Sequence, residues 1–291
     1  MSTQSSMFRT PKGQARYFAA YDATLALWPV PVESVDMPTR FGSTHVHTCG
    51  PEDAPPLLLL PGQAVSSTLW YPNIGALSQA HRVYAPDIIG DMGKSVRVRP
   101  FAKPTEFADW LNDLFDELQI EKAHVAGLSY GGFIALRLAL SAQERVMKLI
   151  LMAPASLLPL RSRFFFRMAA ILLPAFVLSP ASKQKLLLGV YSPEAGPAIK
   201  QMMTTTDFRY QMYLPPVYTD EELQQVKPPT LLLLGDHEVI YNLQAALNRA
   251  LKLIPNIEAA IIPGAGHALN FDQPEMVNTC ILEFLKRKAD R

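Results

Sequence analysis

Two runs of four leucines, Leu57–Leu60 and Leu231–Leu234, limit the folds open to this 291-residue chain. Strands that are apolar at every position have both faces buried, which is the mark of a parallel sheet covered by helices on two sides. A chain of this length can bury such a sheet in one large domain, or in a domain carrying a sizeable insertion.

The segments around these runs alternate in the same sense. Pro11–Trp28 has helical spacing, with Phe18, Tyr21, Leu25 and Trp28 on one face, and Pro29 stops it. Val32–Asp36 and Thr44–Thr48 alternate as two antiparallel strands joined through Gly42. After Leu60 a helix is expected through Leu69–Leu77, then a strand at Arg82–Ala85 and a loop from Asp87 to Ser95. Phe107, Trp110, Leu111, Leu114, Phe115 and Leu118 lie on one helical face. Further strands are expected at Ala123–Ala126, Val146–Met152 and Ile257–Ile262, with helices over Phe133–Leu140, Asn242–Leu253 and Glu275–Lys288. This alternation predicts an α/β fold with a doubly wound, mostly parallel sheet.

Residues 155–226 break the pattern. They are helical in tendency, rich in Leu, Phe, Met and Pro, and too long for a simple connection. They are read as a helical lid inserted into a core formed by residues 30–154 and 227–291, behind an N-terminal segment and helix (1–29).

The strand at Ala123–Ala126 runs into Gly127-Leu128-Ser129-Tyr130-Gly131-Gly132 and then a helix. Strand, sharp turn and helix form the setting of a Gly-x-Ser-x-Gly elbow, in which the serine hydroxyl stands exposed above the sheet edge. Side chains at Gly127 or Gly131 would collide across the turn. The short pattern alone also fits a serine at a helix N-cap. A serine hydroxyl is a weak nucleophile at neutral pH, so it needs a base, and the base needs a group that fixes its tautomer. Of six histidines, His45 and His47 share one strand face without a third ligand nearby, and His81 and His124 sit at helix–strand junctions. His237 lies beside two acids. His267 stands in the glycine-rich loop Pro263–Ala268 after the last strand, where open α/β sheets place their chemistry. It is the best candidate base. The orienting acid is sought in the loop after Leu231–Leu234, which offers Asp236 and Glu238.

Four motifs now stand in a fixed order: Pro61-Gly62 with Trp70 downstream, Asp87-x-x-Gly90, the elbow, and Gly264-x-Gly266-His267. With them the chain resembles the α/β-hydrolase superfamily, in its esterase-like branch with a helical lid, over nearly its whole length. The order nucleophile, acid, histidine is also that family's. The resemblance implies a catalytic triad of Ser129, Glu238 and His267, because the family's acid usually falls three residues after the glycine ending its strand. Asp236 is the alternative. It also implies an oxyanion hole from the N–H groups of Gln63 and Tyr130. The chain departs from the family in two places. Pro61-Gly62 replaces the common His-Gly, removing a side chain that braces the loop. The loop after Asp87 is one residue longer, with glycines at 90 and 93.

The implied activity is a serine hydrolase cleaving a carboxylic ester through an acyl-enzyme. The expected partner is a small to medium apolar ester, held by Phe164–Phe166, Met168, Leu172, Phe176, Met202, Met203 and Met212. A serine at the elbow disfavours dehalogenases and epoxide hydrolases, which use aspartate there. Peptidase, lactonase and C–C hydrolase activities of the same fold, and a non-hydrolysing ligand-binding role, are the alternatives. No cofactor and no metal are expected. Gly93-Lys94-Ser95 lacks the spacing of a phosphate-binding loop. A formal net charge of +1 without a basic block disfavours nucleic acid. The apolar stretch Ala169–Leu178 is broken by Pro174 and is shorter than the roughly 20 residues of a membrane span. Two distant cysteines and a polar N-terminus point to a reducing, cytoplasmic setting.

Overall fold

The computed structural model describes residues 7–160, 162–170, 177–205, 208–209 and 213–287, without the side chains of 165 and 168–170. Leu172, Phe176 and Met212, and the side chains of Phe165 and Met168, therefore lie outside it.

Helix α1 (Pro11–Leu25) is capped by the Thr10 hydroxyl, which accepts the N–H of Gly13. It ends three residues before Trp28, where Pro29 denies the preceding residues further helical geometry. Strands β1 (Glu33–Thr39) and β2 (Gly42–Cys49) pair antiparallel, and β3 (Pro56–Leu60) enters the core. The helix expected over Leu69–Leu77 is two pieces, a 3-10 turn at Ser67–Trp70 and α2 (Ile74–Leu77). Pro72 lies between them and cannot continue a helix. Next come β4 (Arg82–Pro86), the two-residue β5 (Val96–Arg97), α3 (Thr105–Glu117), β6 (Ala123–Leu128), α4 (Tyr130–Ser141) and β7 (Val146–Met152). Helices α5 (Ser162–Ala170), α6 (Pro180–Leu188), α7 (Gly196–Met203) and α8 (Asp220–Gln224) separate β7 from β8 (Thr230–Gly235). The chain closes with α9 (Leu243–Leu253), β9 (Ile257–Ile262), α10 (Leu269–Asp272) and α11 (Pro274–Lys286).

The described strands form one sheet in the order β1-β2-β4-β3-β6-β7-β8-β9, with β5 on β2. From β4 to β9 every neighbouring pair is parallel. Leu57–Leu60, Val125 and Ala126, and Leu232–Leu234 are all fully buried, as continuous apolar strands demand. Two large apolar layers flank the sheet. One is built on α3 and α4, with Phe107, Trp110 and Phe133, and the other on α2 and α11, with Trp70, Ile281 and Phe284.

Strand register decides which loops meet. Leu60 pairs with Gly127, so the loop after β3 runs beside the elbow after β6. Gly235 pairs with Ile262, so the loops after β8 and β9 lie side by side. Among the described residues the helix α7 also docks on α1. Gln201 accepts from the Thr68 hydroxyl and donates to Ser66 and Tyr17, all buried.

Candidate active site

A single residue separates β6 from α4. Ser129 has φ 51° and ψ −107°, a region that side chains with a Cβ rarely occupy. Two contacts make that turn possible. A Cβ at Gly127 would stand 2.2 Å from the Gly131 carbonyl oxygen, and one at Gly131 would stand 2.2 Å from that of Leu60. The Ser129 N–H donates to Met152 O at 2.8 Å, and its carbonyl accepts from Phe133 and Ala155. The strained residue is thus tied to β7 and to its own helix.

The loops after β8 and β9 bring two side chains to this serine. His267 Nε2 lies 2.8 Å from Ser129 Oγ, and Nδ1 lies 2.7 Å from Glu238 Oε2. A carboxylate only accepts, so Nδ1 carries the proton and Nε2 accepts from the serine hydroxyl. The Glu238 side chain is fully buried and that of His267 nearly so. Burial pushes the Glu238 carboxyl up. The adjoining His267, as charge and as donor, together with the N–H groups of Ile240 and Val239, outweighs burial and holds it below the ordinary carboxylate value. Asp236 does not reach the imidazole. Its carboxylate accepts the N–H of Ala265 at 3.2 Å and ties the two loops together.

Gln63 and Tyr130 line one cavity of about 160 Å³. The chain at Gly62 passes so close to the elbow that a Cβ there would stand 3.8 Å from Ser129 Cβ. From the segment between β7 and β8, Tyr213 lines this cavity, whereas Phe166 and Met203 face solvent and Met202 packs toward α1. The apolar lining comes instead from Ile88, Ile89 and Phe101, on the core side.

Four of the remaining histidines pack within the scaffold, and His237 stands exposed beside Asp236. Buried His47 bonds the hydroxyls of Tyr21 and Ser34, and His45 faces Asp36. The rings of His81 and His124 pack edge to face at 5.8 Å.

Three charged residues at the site were not foreseen from the sequence. Asp91 accepts the N–H groups of Ala64 and Met92, Asp272 accepts that of Gly266, and Arg97 lines the cavity. For Asp91 a signal existed: it sits in the loop that is one residue longer than the family pattern, next to a site lacking its usual brace. The other two carry none: nothing in the sequence marks Asp272, close to His267 in the chain, as a loop brace, and only the fold brings Arg97 to the cavity.

Comparison with known proteins agrees with this architecture. The chain is 38% identical to carboxylesterase YbfK of Bacillus subtilis (strain 168), over 98% of both chains. It is 41% identical to the uncharacterized carboxylesterase nap of the same organism, over 94% of this chain and 93% of that one. The crystal structure of carboxylesterase CesB (YbfK) superposes with a TM-score of 0.88, covering 96% of this chain and all of the other. Residues 57–279 match the alpha/beta hydrolase family, and the chain belongs to that family.

Proposed function

We propose that this protein is a serine carboxylesterase. The observation that carries the reading is the continuous relay from the Ser129 hydroxyl through His267 to buried Glu238. Relatives named as carboxylesterases over almost the full chain support the same reaction.

Ser129 Oγ attacks the ester carbonyl while His267 Nε2 takes its proton. The N–H groups of Tyr130, at the start of α4, and Gln63 receive the charge that develops on the carbonyl oxygen. Collapse expels the alcohol, protonated by His267, and leaves an acyl group on Ser129. Water activated by the same imidazole then releases the acid. Glu238 holds the productive tautomer and offsets the imidazolium charge.

A cavity of about 160 Å³ suits a small ester, because sites for drug-sized ligands begin at roughly 300 Å³. Its walls of Ile88, Ile89 and Phe101 favour an apolar body on the substrate. We read residues 155–226 as a lid, a reading supported by Tyr213, which lines this cavity. We place the protein in the cytoplasm, in keeping with the unpaired thiols Cys49 and Cys280; no described helix is long and apolar enough to cross a membrane.

Labelling with a fluorophosphonate probe followed by mass spectrometry tests the nucleophile. The expected result is modification at Ser129, and folded protein that stays unlabelled overturns the reading. p-Nitrophenyl esters of graded chain length then rank substrates. Inertness across the series redirects the assignment to amides or lactones.

A further inference from the structure

The cavity beside Gln63 and Tyr130 is not uniformly apolar. Arg97 lines it, and among the described residues this guanidinium makes no ion pair or hydrogen bond. Its situation differs from that of the other arginines near the site. Arg99 pairs with Glu106 at 3.0 Å, and Arg137 with Glu222 at 2.8 Å. Burial lowers the pKa of Arg97, and no acid offsets that effect. Leaving a partly desolvated cation without an acceptor costs free energy that a bound anion recovers.

The position of Arg97 is built into the fold. It belongs to β5, which pairs with β2 through Gly42↔Arg97 and Ser43↔Val96. Gly42 has φ 137°, and a Cβ on it would stand 2.0 Å from Val96 O, so only glycine lets β5 approach this closely. The guanidinium lies over the turn at Gly90, where a Cβ would come within 3.1 Å of Nη1. Asp91 lines the same cavity, but its oxygens face the N–H groups of Ala64 and Met92, and it makes no ion pair with Arg97 among the described residues. Gln63 and Tyr130 line this cavity together with the cation.

We propose that Arg97 is a specificity residue that binds a carboxylate on the substrate, so that the preferred ester is the monoester of a short dicarboxylic acid. This rests on the carboxylesterase reading and narrows it. The ester carbonyl sits at Gln63 and Tyr130, the methylene chain runs along Ile89 and Phe101, and the free carboxylate meets the guanidinium, whose fork matches it in two parallel bonds.

The test compares monoethyl adipate with ethyl 5-carbamoylpentanoate, its neutral terminal amide. Binding to Ser129→Ala protein, measured by calorimetry, isolates recognition from turnover. The anion is expected to bind about tenfold more tightly than the amide, the size of one charge-assisted contact. In the Arg97→Gln background the ratio should fall to near one, and Arg97→Lys, which keeps the charge but loses the fork, should keep only part of it. Equal binding, tighter binding of the amide, or a preference that survives Arg97→Gln overturns the proposal. The ratio in Ser129→Ala protein with Arg97 intact decides on its own if the glutamine variant does not fold. Turnover of monoethyl adipate by the unaltered chain is read separately. Its absence beside a clear anion preference defeats the esterase reading and leaves the anion site standing.

Discussion

The N–H of Ala64 meets both carboxylate oxygens of Asp91, at 3.1 and 3.2 Å, so the loop after β4 fastens the loop after β3. Ala64 directly follows Gln63 and has φ 63°, a conformation that needs support from outside the loop. The brace that Pro61 cannot provide is thus supplied by an acid from a neighbouring strand's loop. Asp91→Ala should lower kcat on ethyl butyrate about tenfold with KM little altered, because loosened oxyanion donors act on the transition state. Steady-state kinetics check this, and a change confined to KM refutes the bracing role.

Burial raises the Asp91 carboxyl from 3.8 to about 7, against the N–H groups of Met92 and Ala64 that lower it. The folded protein therefore holds this proton more tightly than the unfolded chain does. Stability attributable to Asp91 is greatest below about pH 4 and declines as pH rises to about 7. The Asn variant does not titrate there. The unfolding free energy of Asp91→Asn relative to wild type should climb by up to about 4 kcal/mol between those limits and then level off. Urea denaturation across the pH series measures it, and a flat difference contradicts the buried, proton-binding state.

Glu238 and Asp236 are separated by two positions but by very different surroundings. Glu238→Gln should reduce kcat by about 10⁴ while the fold persists, the scale seen when a triad acid loses its charge. Asp236→Asn should cost no more than about tenfold, since Asp236 bonds Ala265 N–H and faces His237, not the imidazole of His267. The opposite ranking reassigns the acid.

Gly131→Ala should destabilise the protein by about 3 kcal/mol or prevent folding, because a backbone carbonyl, not a flexible side chain, stands 2.2 Å from the new Cβ. Denaturant midpoints of the purified variant test it. A wild-type midpoint would mean the elbow can widen.

Much of this architecture is legible because each parallel strand is short, apolar throughout and bounded by turn residues. Leu57–Leu60 and Leu231–Leu234 announce themselves by burial on both faces. Ser129, Glu238 and His267 stand out because each follows a strand in the family's order. β5 was illegible: two residues carry no period, and Val96–Arg97 is a strand only because Gly42 lies open beside it. Asp91 and Arg97 were missed for a related reason. Asp91 matters through the loop at Ala64, which is distant in the chain, and Arg97 through the cavity that the folded sheet places beside it. The segment between β7 and β8 misled most, since its helices carry apolar residues such as Phe166 and Met203 that turn outward.

The N–H of His267 donates to the carbonyl of Leu188, the last residue of α6, at 2.6 Å. The imidazole's own backbone is thereby stitched to the segment that separates β7 from β8. Any excursion that lifts the end of α6 must first cut that stitch and release the histidine loop. The position of the imidazole and the position of α6 are therefore coupled through one backbone hydrogen bond, and a displacement at the end of α6 reaches the histidine loop directly.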